Sequence, residues 1–162
     1  MRRIYVKRRL RALVDDADYD RLKEYSWHCH RGNTGIKYAV AYKGKRPGRS
    51  DKYISMHRLV LGYRGKKSVD HINGNGLDNR RGNLRIVTAS QNNANSIFKR
   101  KPMSGYRGVA KNAKDTWLAT VRVNKRPIYI TGIESFGLAK AVHRAMHTHF
   151  FGEHSFYSRN EI

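Results

Sequence analysis

Cysteine is almost missing from this 162-residue chain: Cys29 stands alone, which excludes an intrachain disulfide and any zinc site that needs two thiolates. Acids are scarce too, 12 against 34 lysines and arginines, so the formal net charge is +22 and the pI about 10.6. No apolar run approaches the roughly 20 residues of a membrane span, and the basic opening around Arg2, Arg3, Lys7, Arg8 and Arg9 lacks the apolar stretch of a signal peptide. The expectation is a soluble, cytoplasmic protein with no membrane partner. What is present is 39% hydrophobic and 10% aromatic residues, too much for a disordered basic tail and enough for two modest cores.

A charge this large calls for a polyanionic partner or serves to prevent aggregation, and nucleic acid is the commoner reason. Residues 1–98 hold 22 basic and 8 acidic side chains, and residues 99–162 hold 12 and 4. The excess is therefore spread along the chain, unlike the short polybasic cluster beside an amphipathic helix that marks membrane-surface binding. Nucleic acid is the expected partner.

The run Phe98 to Gly105, with Lys99, Arg100, Lys101 and Pro102, interrupts any regular structure and reads as a boundary. Before it, acids crowd from Asp15 to Asp20 ahead of Leu22, Tyr25 and Trp27, as at the start of a short helix. Residues 38–42 and 52–56 read as strands around a turn at 43–50, and His57 to Leu61 as one or two helical turns ended by Gly62. After the boundary, 106–110, 117–123 and 128–130 read as three short strands. A helix follows in which Leu138, Ala141, Val142, Ala145, Met146 and His149 recur at three and four, with Ser135 to cap it and Gly152 to end it. Such a unit covers one face of its sheet and leaves the other for a partner.

The most informative stretch runs from Val69 to Asn92. Residues 68–72 read as a strand, 73–82 as a turn-rich loop, and 84–87 as a returning strand; Thr88 and Gln91 then form a capping box that opens a helix. Asp70 and His71 are neighbours near the end of the first strand, and Asn92 lies in the first helical turn. Hydrolysis of a phosphodiester at neutral pH needs a base for water and a cation for the leaving oxygen. His71 has the pKa range of a base. Asp70 and Asn92 offer hard oxygens suited to Mg²⁺, which keeps several waters and takes few protein ligands. Taken singly, each of these residues also reads as an ordinary turn residue.

Together, the Val-Asp-His of 69–71, Asp-Asn-Arg of 78–80 and Asn-Leu-Arg of 83–85, with Met56 to Leu59 upstream and Asn92 to Asn95 downstream, resemble the HNH endonucleases, a ββα-metal family common among homing endonucleases of phages and mobile introns. The resemblance implies His71 as general base, Asp70 and Asn92 as ligands of one divalent metal (Mg²⁺, with Mn²⁺ as the alternative), and Asn83 as the side chain that holds the loop and orients His71. It also implies double-stranded DNA as substrate, a host bacterial cell as the setting if the chain is phage-encoded, and products ending in 5′-phosphate and 3′-hydroxyl. No small-molecule cofactor is called for, and the oligomeric state is left open. Asn92 stands where many relatives carry histidine, which argues against tight zinc binding. His57 supports the site, contacts phosphate or is structural; His28, Cys29 and His30 are too few for a metal site and read as ordinary polar positions.

Residues 104–157 resemble the ethylene-response-factor (APETALA-type) DNA-binding domain, whose sheet lies in the major groove. Strand alternation turns Trp117, Ala119, Val121 and Val123 toward the helix and Leu118, Thr120 and Arg122 outward. Position by position, the resemblance puts Arg107, Asn112, Lys114, Thr120, Arg122 and Tyr129 on the DNA face; Ala110 and Asn112 stand where arginines are usual. The expected fold is α+β: an HNH ββα-metal domain over 1–98, a linker at 99–103, and a three-stranded antiparallel sheet packed on one helix over 104–162. The expected function is that of a metal-dependent, homing-type DNA endonuclease. A non-catalytic DNA-binding regulator and an RNA-binding or ribosome-associated basic protein are the alternatives.

Overall fold

Apolar residues alternate with charged ones from the first residues onward, and in the computed structural model that alternation folds into a hairpin. Strands β1 (Arg2–Val6) and β2 (Leu10–Val14) pair antiparallel, Ile4 opposite Ala12 and Tyr5 opposite Arg11. Ile4, Val6, Ala12 and Val14 turn inward and are buried, while Arg3, Tyr5 and Arg11 stay exposed. The sequence reading assigns no strand here, because the basic residues of the outer face mask the period-two signal of the inner one. The structure describes all residues except 8, 33–34, 43–52, 96–101 and 162, with side chains left out at 159–161. The turn expected at 43–50 and most of the 99–103 linker lie outside the described residues.

The chain forms two compact units, Met1–Val87 and Thr88–Ile162. The division falls ahead of the 99–103 segment, because the helix after Thr88 packs within the second unit, where Ala94 joins the core.

In the first unit α1 (Asp16–Lys23) follows β2, then β3 (Trp27–Arg31), β4 (Lys37–Tyr42) and β5 (Tyr53–Ser55) form an antiparallel sheet in that order. Helix α2 (Met56–Val60) leads to the hairpin β6 (Ser68–His71) and β7 (Leu84–Val87). Leu22, Trp27, Ala41, Met56 and Val60 form the middle of the core, and the Trp27 indole donates to the Leu22 carbonyl at 2.8 Å. The acids of α1 do more than complement its dipole. Asp18 is buried and accepts both arms of the Arg81 fork, Nε at 2.8 Å and Nη2 at 2.9 Å, and Asp15 accepts the Arg81 amide at 2.8 Å. The guanidinium of Arg81 holds the Asp18 carboxyl below its ordinary range. Charge-assisted hydrogen bonds contribute about 1.5–3 kcal/mol each, so Asp18→Ala is expected to destabilise the unit by about 2–3 kcal/mol in urea unfolding, allowing for the exposed arginine. A loss under about 0.5 kcal/mol would show that this anchor holds nothing.

In the second unit α3 (Ala89–Asn95) opens with the expected capping box: the Thr88 amide donates to Gln91 Oε1 at 2.9 Å and the Gln91 amide to Thr88 Oγ1 at 3.3 Å. Strands β8 (Val109–Lys111), β9 (Trp117–Val123) and β10 (Arg126–Ile133) form an antiparallel sheet with β9 in the middle. Helix α4 (Phe136–Phe151) packs against it, capped by Ser135 Oγ, which accepts the Leu138 amide at 3.1 Å, and ended at Gly152. Ala119 and Val121 are buried with Trp117 and Val123 packed beside them, and Arg122 is exposed.

The inward face of α4 differs from the sequence expectation. Ala139, His143, Met146, His147 and Phe151 are buried, whereas Leu138, Ala141, Ala145 and His149 are exposed. The stripe is rotated because two histidines are core residues, each with one ring nitrogen on a hydroxyl: His143 Nδ1 meets the Tyr157 hydroxyl at 2.8 Å and His147 Nδ1 meets Ser155 Oγ at 2.7 Å. Burial, aided by the nearby Arg107 charge, lowers His143 to about 4 and His147 to about 3. The unfolded chain takes up protons near pH 6.5, but the folded unit does not until about 4 and 3. Stability is therefore full above pH 6.5 and is lost as pH falls toward 4. Between pH 7 and 5 the second unit is expected to lose roughly 2–4 kcal/mol, read as a shift of its urea midpoint. An unchanged midpoint would mean that these imidazoles ionise in place.

Candidate active site

Hairpin β6–β7 sets the site by register. Asp70 lies opposite Arg85, and His71 opposite Leu84. Alternation sends Val69 and His71 inward and leaves Asp70 on the other side of the strand, where its Oδ2 is 3.1 Å from both Nε and Nη2 of Arg85.

His71 is 3% exposed. Its Nε2 lies 3.3 Å from Asn79 Oδ1, its ring meets that of His57 edge-on at 5.2 Å, and Tyr38 closes a third side at 5.8 Å. Burial lowers the pKa of His71, and it brings His57 to about 3, so both imidazoles are neutral at pH 7. Burial raises Tyr38, helped by the negative charge of Asp70. Two buried polar atoms around His71, Asn79 Nδ2 and His57 Nδ1, have no hydrogen-bond partner among the described residues. Unsatisfied polar atoms are costly and gather where a ligand completes them.

The loop between the strands is braced from several sides. Asn83 Nδ2 donates to Asn73 Oδ1 at 3.0 Å and to the Asp78 carbonyl at 2.8 Å, while its Oδ1 accepts the Asn73 amide at 3.0 Å. Buried Asp78 takes the fork of Arg80 at 2.8 and 2.7 Å, which holds its carboxyl below the usual range. Strand β2 joins in: the Leu13 amide donates to the Leu77 carbonyl and the Asn79 amide to the Leu13 carbonyl, both at 2.8 Å. Gly76 allows this closeness, because a Cβ there would run into the Lys37 carbonyl and the Tyr38 ring.

The first unit thus brings Asp70, His71 and Asn83 into one hairpin and adds Asn79, His57 and Tyr38 around the imidazole. Asn79 is quoted within the Asp-Asn-Arg motif without a role of its own; its signal is its place beside a buried, charge-forked Asp78. Asn92 belongs to the second unit, in the first turn of α3, where its amide donates to the Thr88 carbonyl at 2.9 Å. No group of three or more His, Cys, Asp or Glu side chains able to hold a metal is found among the described residues. His28 instead stacks edge-on against Tyr42 at 5.3 Å. Asp70 in the first unit offers a carboxylate and Asn92 in the second an amide oxygen, each a hard oxygen of the kind that Mg²⁺ accepts beside water.

The DNA-face residues expected in the second unit divide in two. Thr120 and Tyr129 are cross-strand partners, and exposed Arg122 lies on the same face of β9. Lys114 is exposed in the β8–β9 turn. Asn112 shapes that turn instead, its Oδ1 accepting the amides of Lys114 and Thr116 and its Nδ2 donating to Thr116 Oγ1. Arg107 is half-buried, donating to the Asn93 and Ala94 carbonyls at 2.9 and 3.1 Å and lying over the Phe156 ring, so it fastens α3.

Comparison with known proteins bears on the segment that holds the site. Residues 56–94 match the family described as HNH endonuclease. This segment is thus similar to an HNH endonuclease domain. The chain is also 30% identical over 138 residues to an uncharacterized HNH endonuclease of Acanthamoeba polyphaga mimivirus, covering 82% of this chain; the chain spans 66% of that relative's length. No solved structure matches. Both similarities are to proteins described as HNH endonucleases. They carry no evidence for an APETALA-type module after the matched segment. No helix among the described residues is long and apolar enough to cross a membrane.

Proposed function

We propose that this chain is a metal-dependent, homing-type endonuclease that hydrolyses phosphodiester bonds of double-stranded DNA, with the HNH domain cutting and the second unit adding DNA contacts. The observation that carries the reading is a neutral, buried imidazole, His71, fixed by Asn79 in a loop that Asn83 braces, next to Asp70 and within the matched segment.

His71, its Nε2 held 3.3 Å from Asn79 Oδ1, is the group that takes the proton of the attacking water. Asn83 acts through the loop, keeping Asn79 and so the imidazole in register. Asp70 is the metal ligand of the first unit, and the family pattern adds Asn92. A divalent metal, Mg²⁺ in the first instance, would supply positive charge to the phosphate and the departing 3′ oxygen when bound. Arg85 fixes the Asp70 carboxylate in place, its Nε and Nη2 each 3.1 Å from Oδ2. In the second unit, Thr120, Arg122, Tyr129 and Lys114 offer the face toward DNA that an APETALA-type reading requires. The mimivirus source of the relative fits a viral setting.

The Arg85–Asp70 ion pair is the one observation that favours a non-catalytic DNA-binding regulator, since a guanidinium here stands in for a cation. The two readings part on Asp70→Ala. As a nuclease ligand, its loss removes Mg²⁺-stimulated cleavage of duplex DNA while binding in EDTA persists; cleavage that keeps its wild-type Mg²⁺ dependence would dismiss Asp70 as a ligand.

A further inference from the structure

We infer that the outer face of the β1–β2 hairpin is a duplex-DNA contact surface, a two-stranded ribbon that enters the major groove beside the cutting loop. The inference rests on the nuclease reading and adds to it a DNA-binding element on the first unit that neither the HNH match nor the sequence motifs assign.

The hairpin has two unlike faces. Inward are the buried Ile4, Val6, Ala12 and Val14; outward are Arg3, Tyr5 and Arg11, with Lys7 and Arg9 exposed at the turn end. Tyr5 is 70% exposed, a large aromatic that adds nothing to the core. Arg11, its cross-strand partner, lies over the Tyr5 ring at 5.0 Å and donates to its hydroxyl at 3.1 Å, so the guanidinium is held flat on the surface. Arg2 provides the contrast: it lies over Tyr19 and reaches Asp16 at 3.6 Å. No carboxylate pairs with Arg3, Arg9 or Arg11 among the described residues. The charges on the outer face are therefore all positive, with one pre-ordered arginine, and half-buried Leu13 stands opposite Arg3.

Shape agrees with charge. A two-stranded ribbon fits the major groove, about 12 Å wide, and arginine held flat pairs with guanine edges or phosphates. Position agrees as well. Leu13 of β2 is hydrogen-bonded on both sides to the loop at Leu77 and Asn79, and Asn79 touches His71. A duplex at His71 thus meets a ribbon whose backbone is continuous with the catalytic loop. RNA is disfavoured, since the major groove of an A-form helix is too deep and narrow for such a ribbon.

The test is fluorescence anisotropy of a labelled DNA duplex with the full chain in EDTA, where binding is read without cleavage. Arg3→Ala with Arg11→Ala is expected to weaken binding about tenfold or more and to lower the salt slope by about 1.8, two phosphate contacts' worth. Removing equal charge elsewhere on the unit, Arg64→Ala with Lys66→Ala, is expected to cost much less, and Tyr5→Ala alone several-fold. All variants should melt as wild type does, these side chains being exposed. Equal losses from both arginine and control pairs, an unaltered affinity, or a loss seen only with an RNA duplex would each overturn the ribbon. If the wild-type chain failed to bind DNA at all, the nuclease reading would fall with it; wild-type binding that ignores Arg3, Tyr5 and Arg11 sinks the ribbon alone.

Discussion

His71→Ala is expected to lower the single-turnover rate of duplex cleavage by about 10² to 10⁴, the usual contribution of a general base. The imidazole is 3% exposed and wedged between His57, Tyr38 and Asn79, so its removal leaves an enclosed hole and also lowers the melting temperature of the first unit. Rate and stability must therefore be separated. The hole has the size and chemistry of the group removed, and added imidazole is expected to restore part of the rate without acting on wild type. His71→Ala cutting within about threefold of wild type, under conditions where both are folded, would place the base elsewhere.

Gly108→Ala is expected to have the largest effect on stability. Gly108 sits at φ +67°, where a Cβ costs about 1–2 kcal/mol, and that Cβ would overlap the imidazole of His143 and lie 2.6 Å from the Thr120 carbonyl. Neither neighbour can yield, since the Thr120 carbonyl belongs to the central strand and His143 is pinned by Tyr157. Overpacking adds about 1–3 kcal/mol, for a total of about 2–5 and a fall in the unit's melting temperature of about 8 °C or more. Gly137→Ala, with open space around its Cβ position, is the matched control and should leave melting unchanged or raised. Equal melting of Gly108→Ala and wild type would mean that the turn before β8 adapts freely.

Much of the site is legible in sequence because its motifs are local. The strand ending in Asp70 and His71, the returning strand from Leu84 and the Thr88–Gln91 capping box each follow from residues within a few positions of one another, and the structure has all three. β9 is read with both ends correct because Trp117, Ala119, Val121 and Val123 recur at every second position. Contacts between distant segments are what sequence conceals. Nothing in the spacing shows that Asp18 is anchored to Arg81, that Leu13 stitches the loop, or that Tyr38 and His57 wall the imidazole. The rotated face of α4 has a chemical reason: the expected stripe takes in His149 and leaves out His143 and His147, yet these two, neutral and with hydroxyl partners, are the core residues. Arg107 shows the same limit in reverse, an arginine that looks free for phosphate but is bound to the α3 carbonyls.

The most direct measurement of the central claim is incubation of supercoiled plasmid with the full wild-type chain, with Mg²⁺ or with EDTA, followed on a gel. Conversion to nicked or linear DNA in Mg²⁺, abolished by EDTA and bearing 5′-phosphate ends, is the predicted result. Plasmid that stays supercoiled in Mg²⁺ and in Mn²⁺ while the same preparation binds it, or cleavage that continues in EDTA, would contradict a metal-dependent endonuclease with His71 as its base.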